Sequence, residues 1–256
     1  MDALGFPFLS DPRQRATIGA MTATSRPVLL VHGAWHGAWI WADLVTRLAA
    51  AGVPAHAIDL PGHGASSQPL GDLNTDADAV AAALERLGPD TICVGHSYGG
   101  AVISAASARS RAHHLIFIAA FALHDGESVN GFLRGAPRHD VDLAGAMHAG
   151  EDATTLDPII ARDLLYADLD DVTASAHVAR LTPQPFATMT TPIEASGLGA
   201  IPSTYVLCTR DRCVHPEHQQ LMAQRCDTTV TLDEDHSPFL TDPDTIVELI
   251  CGLATQ

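Results

Sequence analysis

The ten residues Thr91-Ile92-Cys93-Val94-Gly95-His96-Ser97-Tyr98-Gly99-Gly100 constrain this chain more than any other stretch. A β-branched apolar run breaks into G-x-S-x-G and then into small helix-forming residues, which reads as strand, sharp turn and helix with Ser97 at the apex. A serine at such an apex adopts a strained backbone, and glycines two residues to either side remove side chains that would collide where strand and helix converge. Nucleophilic catalysis gives that strain a purpose. An ordinary loop serine between glycines is the competing reading, and the remainder of the chain discriminates between the two.

Upstream, Val28-Leu29-Leu30-Val31 is a short continuous apolar run of the kind buried on both faces of a parallel sheet. It ends in His32-Gly33-Ala34-Trp35-His36-Gly37-Ala38-Trp39, a Gly-rich turn whose unpaired N–H groups could point into a site; Ala34 N–H is the candidate arm of an oxyanion hole, against an ordinary strand-to-helix loop. An amphipathic helix over 43–51 follows, then a strand over 55–59 and the turn Leu60-Pro61-Gly62-His63-Gly64, in which His63 reads as structural. Residues 76–87 form a further helix, stopped by Gly88-Pro89. After the Ser97 elbow and its helix, Leu115-Ile116-Phe117-Ile118-Ala119-Ala120 is another buried strand. Strands alternating with helices at this pace predict an α/β fold with a doubly wound, mostly parallel sheet. Right-handed crossovers bring every strand's carboxyl end to one edge, so Ser97 and the His32 loop share it.

From Leu123 to Ala200 the rhythm changes: no clear strand appears, and helical patterns run over 158–166 and 169–181. The expected organisation is an N-terminal extension over 1–26, with Met21 as an alternative start, a core over 27–122 and 201–256, and a helical cap over 123–200. Twelve acidic residues against four arginines in that cap disfavour anionic substrates. Phe132, Leu133, Met147, Leu164, Leu165, Phe186 and Met189 are candidates for its apolar lining, or for its own core.

Sheet-like sequence returns at Ser203 to Thr209 and ends in Arg210-Asp211-Arg212; a later strand, Thr229 to Leu232, runs into Asp233-Glu234-Asp235-His236-Ser237-Pro238. An acid just past a strand end is placed to orient a histidine, which can take the proton of a serine hydroxyl that is otherwise a poor nucleophile. Ser97, Asp211 and His236 each fall at a strand-to-helix junction and occur in the chain order of an α/β hydrolase. Asp125, after the earlier strand, is the alternative acid.

Composition closes off other chemistries. The chain has 256 residues and a formal net charge of −16, which argues against nucleic acid and anionic membrane surfaces. All fourteen basic residues are arginines, so Schiff-base, pyridoxal phosphate, P-loop and Ser-Lys chemistry have no lysine to use; arginine usage also points to a GC-rich bacterial genome. Five scattered cysteines read as reduced thiols. Fourteen histidines include the pairs His32/His36, His113/His114 and His215/His218, none with an obvious third ligand, so no metal is expected. No apolar run resembles a signal peptide or a membrane span, which suggests a cytoplasmic protein.

The chain resembles the α/β hydrolase superfamily, in the branch of plant methyl esterases, hydroxynitrile lyases and bacterial esterases such as pyrethroid hydrolases. Carrying the resemblance are Val31 to Trp39, Asp59 to Gly64, Gly95 to Gly100, Val206 to Asp211 and Asp235-His236, with weaker similarity at Leu165-Tyr166, over about residues 27–253. It implies Ser97 as nucleophile, Asp211 and His236 as its partners, and the N–H groups of Ala34 and Tyr98 as the oxyanion hole. Hydroxynitrile lyases of this type carry Thr at the place of Gly33 and Lys at the place of Ser237. Without that ammonium a leaving cyanide has no electrostatic stabiliser, which turns the expectation away from lyase chemistry. What remains is a serine esterase acting without cofactor on a small, largely apolar, uncharged ester. A lactonase, a carbon–carbon hydrolase, a non-hydrolytic enzyme on the same triad and a ligand-binding receptor are the alternatives, and a homodimer stays open.

Overall fold

The computed structural model describes residues 25–255, so the expected N-terminal extension falls almost wholly outside the described residues. Among the described residues there are nine strands: β1 Val28–Val31, β2 Ala55–Ile58, β3 Ile92–His96, β4 His114–Ile118, β5 Met147–Ala149, β6 Ala153–Leu156, β7 Gln184–Pro185, β8 Ser203–Cys208 and β9 Thr228–Leu232. Six of them form one sheet in the order β2-β1-β3-β4-β8-β9, and every pairing in it is parallel.

Because side chains alternate across a strand, the sheet buries a core on each face. Leu29, Val31, Cys93, Leu115, Phe117, Tyr205 and Leu207 face one side, beneath the helices Leu73–Leu87 and Tyr98–Arg109. Val28, Leu30, Ile92, Val94, Ile116, Ile118 and Val206 face the other, beneath Ala42–Ala50 and Pro243–Ala254. Each fully buried aliphatic side chain contributes about 1.5–3 kcal/mol, so these strands lock the register that sets the carboxyl edge. The helix expected from residue 76 begins at Leu73, because the Asp72 carboxylate accepts Thr75 N–H at 2.9 Å and caps it; Gly88, at φ +93°, ends it. All five cysteines are unpaired, and among the described residues no helix is long and apolar enough to cross a membrane.

Between β4 and β8 the chain departs from the all-helical expectation. It holds helices Val129–Gly135, Pro158–Leu165, Asp171–Val178 and two shorter ones, but also an antiparallel sheet in the order β5-β6-β7. Strands of two to four residues are too short for a period-two pattern to stand out, and β7 contains a proline, which reads as a strand breaker. The helix expected over 169–181 is confined to 171–178, started by the Asp170 carboxylate on the N–H groups of Val172 and Thr173.

Candidate active site

The elbow is closed by backbone-to-backbone proximity. A Cβ added to Gly95 would lie 2.6 Å from the Gly99 carbonyl oxygen, and one added to Gly99 would lie 2.6 Å from that of Val31, so glycine alone lets the helix sit against β1 and β3. Ser97, between them, has φ +52° and ψ −120°, a strained conformation for a residue with a side chain. It is held there by three bonds: its N–H donates to Ile118 O, and its carbonyl accepts from Gly100 and Phe121, all at 3.1 Å. The half-buried hydroxyl is left at the carboxyl edge of the sheet.

Across that edge, His236 Nδ1 lies 2.8 Å from Asp211 Oδ2. Asp211 is buried, and its other oxygen accepts the N–H groups of Cys213 at 2.7 Å and Val214 at 3.0 Å, while Gln219 Nε2 donates to Oδ2 at 2.8 Å. With Nδ1 committed, Nε2 is the nitrogen His236 has free. The backbone of His236 is tied to the elbow, since its carbonyl accepts His96 Nε2–H at 2.8 Å and the two rings stand 4.5 Å apart. Burial holds His96 well below the usual histidine range, hence neutral, and its Nδ1 has no hydrogen-bond partner among the described residues. Asp125 sits elsewhere: its Oδ1 accepts Ser196 N–H at 2.7 Å, tying the two ends of the 123–200 segment together. The structure therefore brings Asp211, not Asp125, to His236.

The His32 turn forms the third side. His32 donates Nδ1–H to Gly33 O at 2.8 Å and accepts Leu60 N–H on Nε2 at 3.1 Å, the pattern of a neutral ring, and burial lowers its pKa to about 3. Burial likewise takes His36 to about 4; its Nδ1–H donates to Ala34 O and its Nε2 accepts from Tyr166 OH, both at 2.7 Å. Trp35 occupies φ +64°. Neither Ala34 N–H nor Tyr98 N–H is among the backbone donors used in the turns and caps of the described residues. Both residues are buried; Tyr98 follows Ser97 in the chain, and Ala34 follows Gly33, on which an added Cβ would lie 3.1 Å from Ser97 Cβ.

Among the described residues, two donor sets come near enough to suggest a metal. His139 Nε2 lies 2.9 Å from Glu217 Oε2, and the His139 ring stacks on His215 at 3.8 Å and 3°. Sequence alone offers no third partner for His215 and His218, because His139 is 76 residues away from the first of them. Parallel rings aim their in-plane lone pairs side by side instead of at one point, and His215 Nδ1 already accepts the Glu217 N–H that starts the next helix. The second set, Asp211, Cys213 and His236, has its carboxylate saturated by four donors.

Several important residues carry no local sequence signal. Gln219 and Gln184 are fully buried amides, and glutamine is ordinarily a surface residue. Asp76 is also buried; Tyr98 OH donates to it at 2.6 Å, yet burial still raises its pKa to about 7. Of the apolar side chains expected around a pocket, Leu164 and Leu165 are buried in the core, Phe132 packs edge-on against Phe121, Leu133 and Met189 pack partly buried beside them, and Met147 and Phe186 are exposed.

Comparison with known proteins agrees with this architecture. A family profile described as the alpha/beta hydrolase family matches residues 28–249. An alpha/beta hydrolase of Aspergillus novofumigatus, nvfD, is 32% identical over 246 residues, covering 90% of this chain and 96% of its own. Methylesterase 9 of Arabidopsis thaliana is 25% identical over 250 residues, covering 89% and 98%. Among solved structures, a pyrethroid hydrolase from Sphingobium faniae JZ-2 superposes with a TM-score of 0.77 at 22% identity, covering 89% of this chain and 96% of that one.

Proposed function

The chain belongs to the alpha/beta hydrolase family, and from that premise we propose that it is a serine esterase cleaving carboxylic esters through an acyl-enzyme. The observation that carries this reading is the 2.8 Å bond between His236 Nδ1 and Asp211 across the sheet edge from a serine at φ +52°. Asp211 fixes the tautomer that leaves the Nε2 lone pair for the Ser97 proton, and it stabilises the imidazolium that forms. Ser97 Oγ attacks the ester carbonyl while its proton passes to His236 Nε2. The resulting oxyanion is met by the N–H groups of Ala34 and Tyr98, each worth about 3 kcal/mol in the transition state. Collapse expels the alcohol, which takes the proton back from His236; water, deprotonated by the same nitrogen, then attacks the acyl-enzyme and releases the acid.

The substrate class follows from charge. The segment over 123–200, which we read as a cap on the core, carries twelve acidic residues and four arginines, so an uncharged ester approaches more readily than an anion. Esterase relatives such as the methylesterase support an ester of a small alcohol. Gly33 and Ser237 stand where a hydroxynitrile lyase has its threonine and lysine, which supports hydrolysis over cyanide elimination. The test is turnover of p-nitrophenyl acetate and butyrate by the wild type and Ser97→Ala. Loss of at least 1,000-fold in kcat with an unchanged circular dichroism spectrum is expected, in line with the loss of a triad member; activity retained by Ser97→Ala overturns the assignment.

A further inference from the structure

The turn that carries Ala34 is held chiefly by the 123–200 segment, not by the strand it follows. Trp35, the next residue, has a left-handed φ of +64°, which a side chain disfavours and which persists only where the surroundings over-determine it. Those surroundings come from one segment. Trp35 N–H donates to Gln184 Oε1 at 3.0 Å, its carbonyl accepts Thr182 N–H at 2.8 Å, and its indole N–H reaches Thr154 O and Oγ1 at 3.2 and 3.1 Å. Thr154 lies on β6 and Gln184 on β7, paired strands of the small sheet.

The peptide between Ala34 and Trp35 is fixed at both ends. Its N–H is taken by Gln184, and its carbonyl accepts from His36, whose other nitrogen is held by Tyr166 OH at the end of the helix Pro158–Leu165. Among the described residues the preceding peptide is held at its carbonyl, where Gly33 O accepts from the His32 ring at 2.8 Å and from His36 N–H at 3.4 Å. A trans peptide points its N–H opposite to its carbonyl, so Ala34 N–H is the free end, and the only torsions separating it from the clamped plane are those of Ala34 itself. Gln184 cannot turn its amide over. Its Nε2 donates to Thr188 Oγ1 at 2.8 Å, and that hydroxyl passes its own proton to Pro185 O at 2.7 Å, so Oε1 is the end that faces Trp35. His63 Nε2 also reaches Oε1, at 3.0 Å, which adds the Pro61–His63 turn to the same anchor.

We propose that Gln184 is a positioning residue: through Trp35 N–H it sets the direction of the Ala34 N–H, so that docking of the small sheet onto the core pre-forms one arm of the oxyanion hole. This rests on the esterase reading for its kinetic consequence, but not for its structural one. An oxyanion donor acts only if aimed before charge develops, so a loosened turn weakens the transition state and leaves ground-state binding alone.

The experiment compares wild type with Gln184→Met, close in size but unable to accept a hydrogen bond, and Gln184→Glu, which keeps an acceptor. For p-nitrophenyl butyrate, Gln184→Met is expected to lower kcat 10- to 100-fold with KM within about two-fold, and Gln184→Glu to recover at least part of that loss. Amide hydrogen exchange at Trp35, read by 15N NMR, is expected to accelerate at least ten-fold in Gln184→Met and less in Gln184→Glu. Thr188→Val frees the Gln184 amide without removing it and serves if Gln184→Met does not fold; a smaller change in the same direction supports the proposal. Exchange at Trp35 unchanged in Gln184→Met, or faster exchange with kcat intact, overturns it. Were the wild type to turn over no ester, the esterase reading would fall, while the exchange measurement would still decide whether Gln184 holds the turn.

Discussion

Gln219 Nε2 and His236 Nδ1 share one oxygen of Asp211, each at 2.8 Å. Gln219 is wholly buried, and its remaining side-chain bonds, Oε1 from Cys208 N–H at 2.9 Å and Nε2 to Val214 O at 2.8 Å and to Cys208 O at 3.3 Å, fasten it to the strand end and loop that carry Asp211. A neutral amide on the far side of the carboxylate fixes its orientation without adding a charge to the site.

Gln219→Leu therefore leaves Cys208 N–H and one Asp211 lone pair unpartnered in the interior. Stability should fall by about 1–3 kcal/mol, read from urea unfolding, and kcat should drop about ten-fold as the imidazole loses its fixed partner. Gln219→Glu is the sharper variant, because a second buried carboxylate against Asp211 disfavours double ionisation. The acid limb of its pH profile for kcat/KM should move to higher pH; an unmoved limb would show that residue 219 does not touch the electrostatics of the acid.

Asp76 predicts a pH dependence of folding. Its folded pKa of about 7 lies above its ordinary 3.8, so between those values the folded protein keeps a proton the unfolded chain has lost. Stability from this group consequently decreases as pH rises from about 4 to 7, by up to about 4 kcal/mol in total. Asp76→Asn keeps the bond with Tyr98 OH while removing the titration. Urea unfolding at pH 5 and pH 8 should show the variant gaining on the wild type at the higher pH; equal differences at both would mean that Asp76 is ionised in the fold.

His32 and His36 act in the same window with the opposite sign. Their folded pKa values, about 3 and about 4, lie below the ordinary 6.5, so the unfolded state binds protons first as pH falls. The stability they contribute is complete above pH 6.5 and is lost from there down to about pH 4 for His36 and about pH 3 for His32. His36→Gln, which cannot be protonated, should flatten the decline of Tm between pH 7 and 4.5, at the cost of a lower Tm at neutral pH where the Tyr166 and Ala34 bonds are weakened.

Two glycines in the site should respond differently to alanine. At Gly95 the added Cβ meets backbone at 2.6 Å and nothing there can yield, so Gly95→Ala should cost at least about 3 kcal/mol and fail to accumulate as folded protein. At Gly33 the nearest atoms are His96 Nδ1 at 3.0 Å and Ser97 Cβ at 3.1 Å, side-chain atoms that can shift by tenths of an ångström. Gly33→Ala should fold, losing about 1–2 kcal/mol, but lose at least ten-fold in kcat because the displaced atom carries the nucleophile. A folded, fully active Gly33→Ala would separate position 33 from the geometry of Ser97.

Local chemistry determined much of this protein before any contact was known. Apolar runs such as Val28–Val31 and Ile92–Val94 read as buried strands, Gly95 and Gly99 beside such a run read as a tight crossing, and alternation of strands with capped helices points to a parallel sheet with one carboxyl edge. The sequence already favoured Asp211, just past the later strand, over Asp125, and the tertiary structure shows why: Asp211 meets His236, while Asp125 is taken by Ser196 N–H. Tertiary structure alone decided the small sheet of β5, β6 and β7, whose strands are too short to carry a period of their own, and the use of Gln184 and Gln219. Gln184 meets Trp35 across 149 residues. A buried amide is recognised by its partners, and partners that far apart along the chain exist only once the chain has folded.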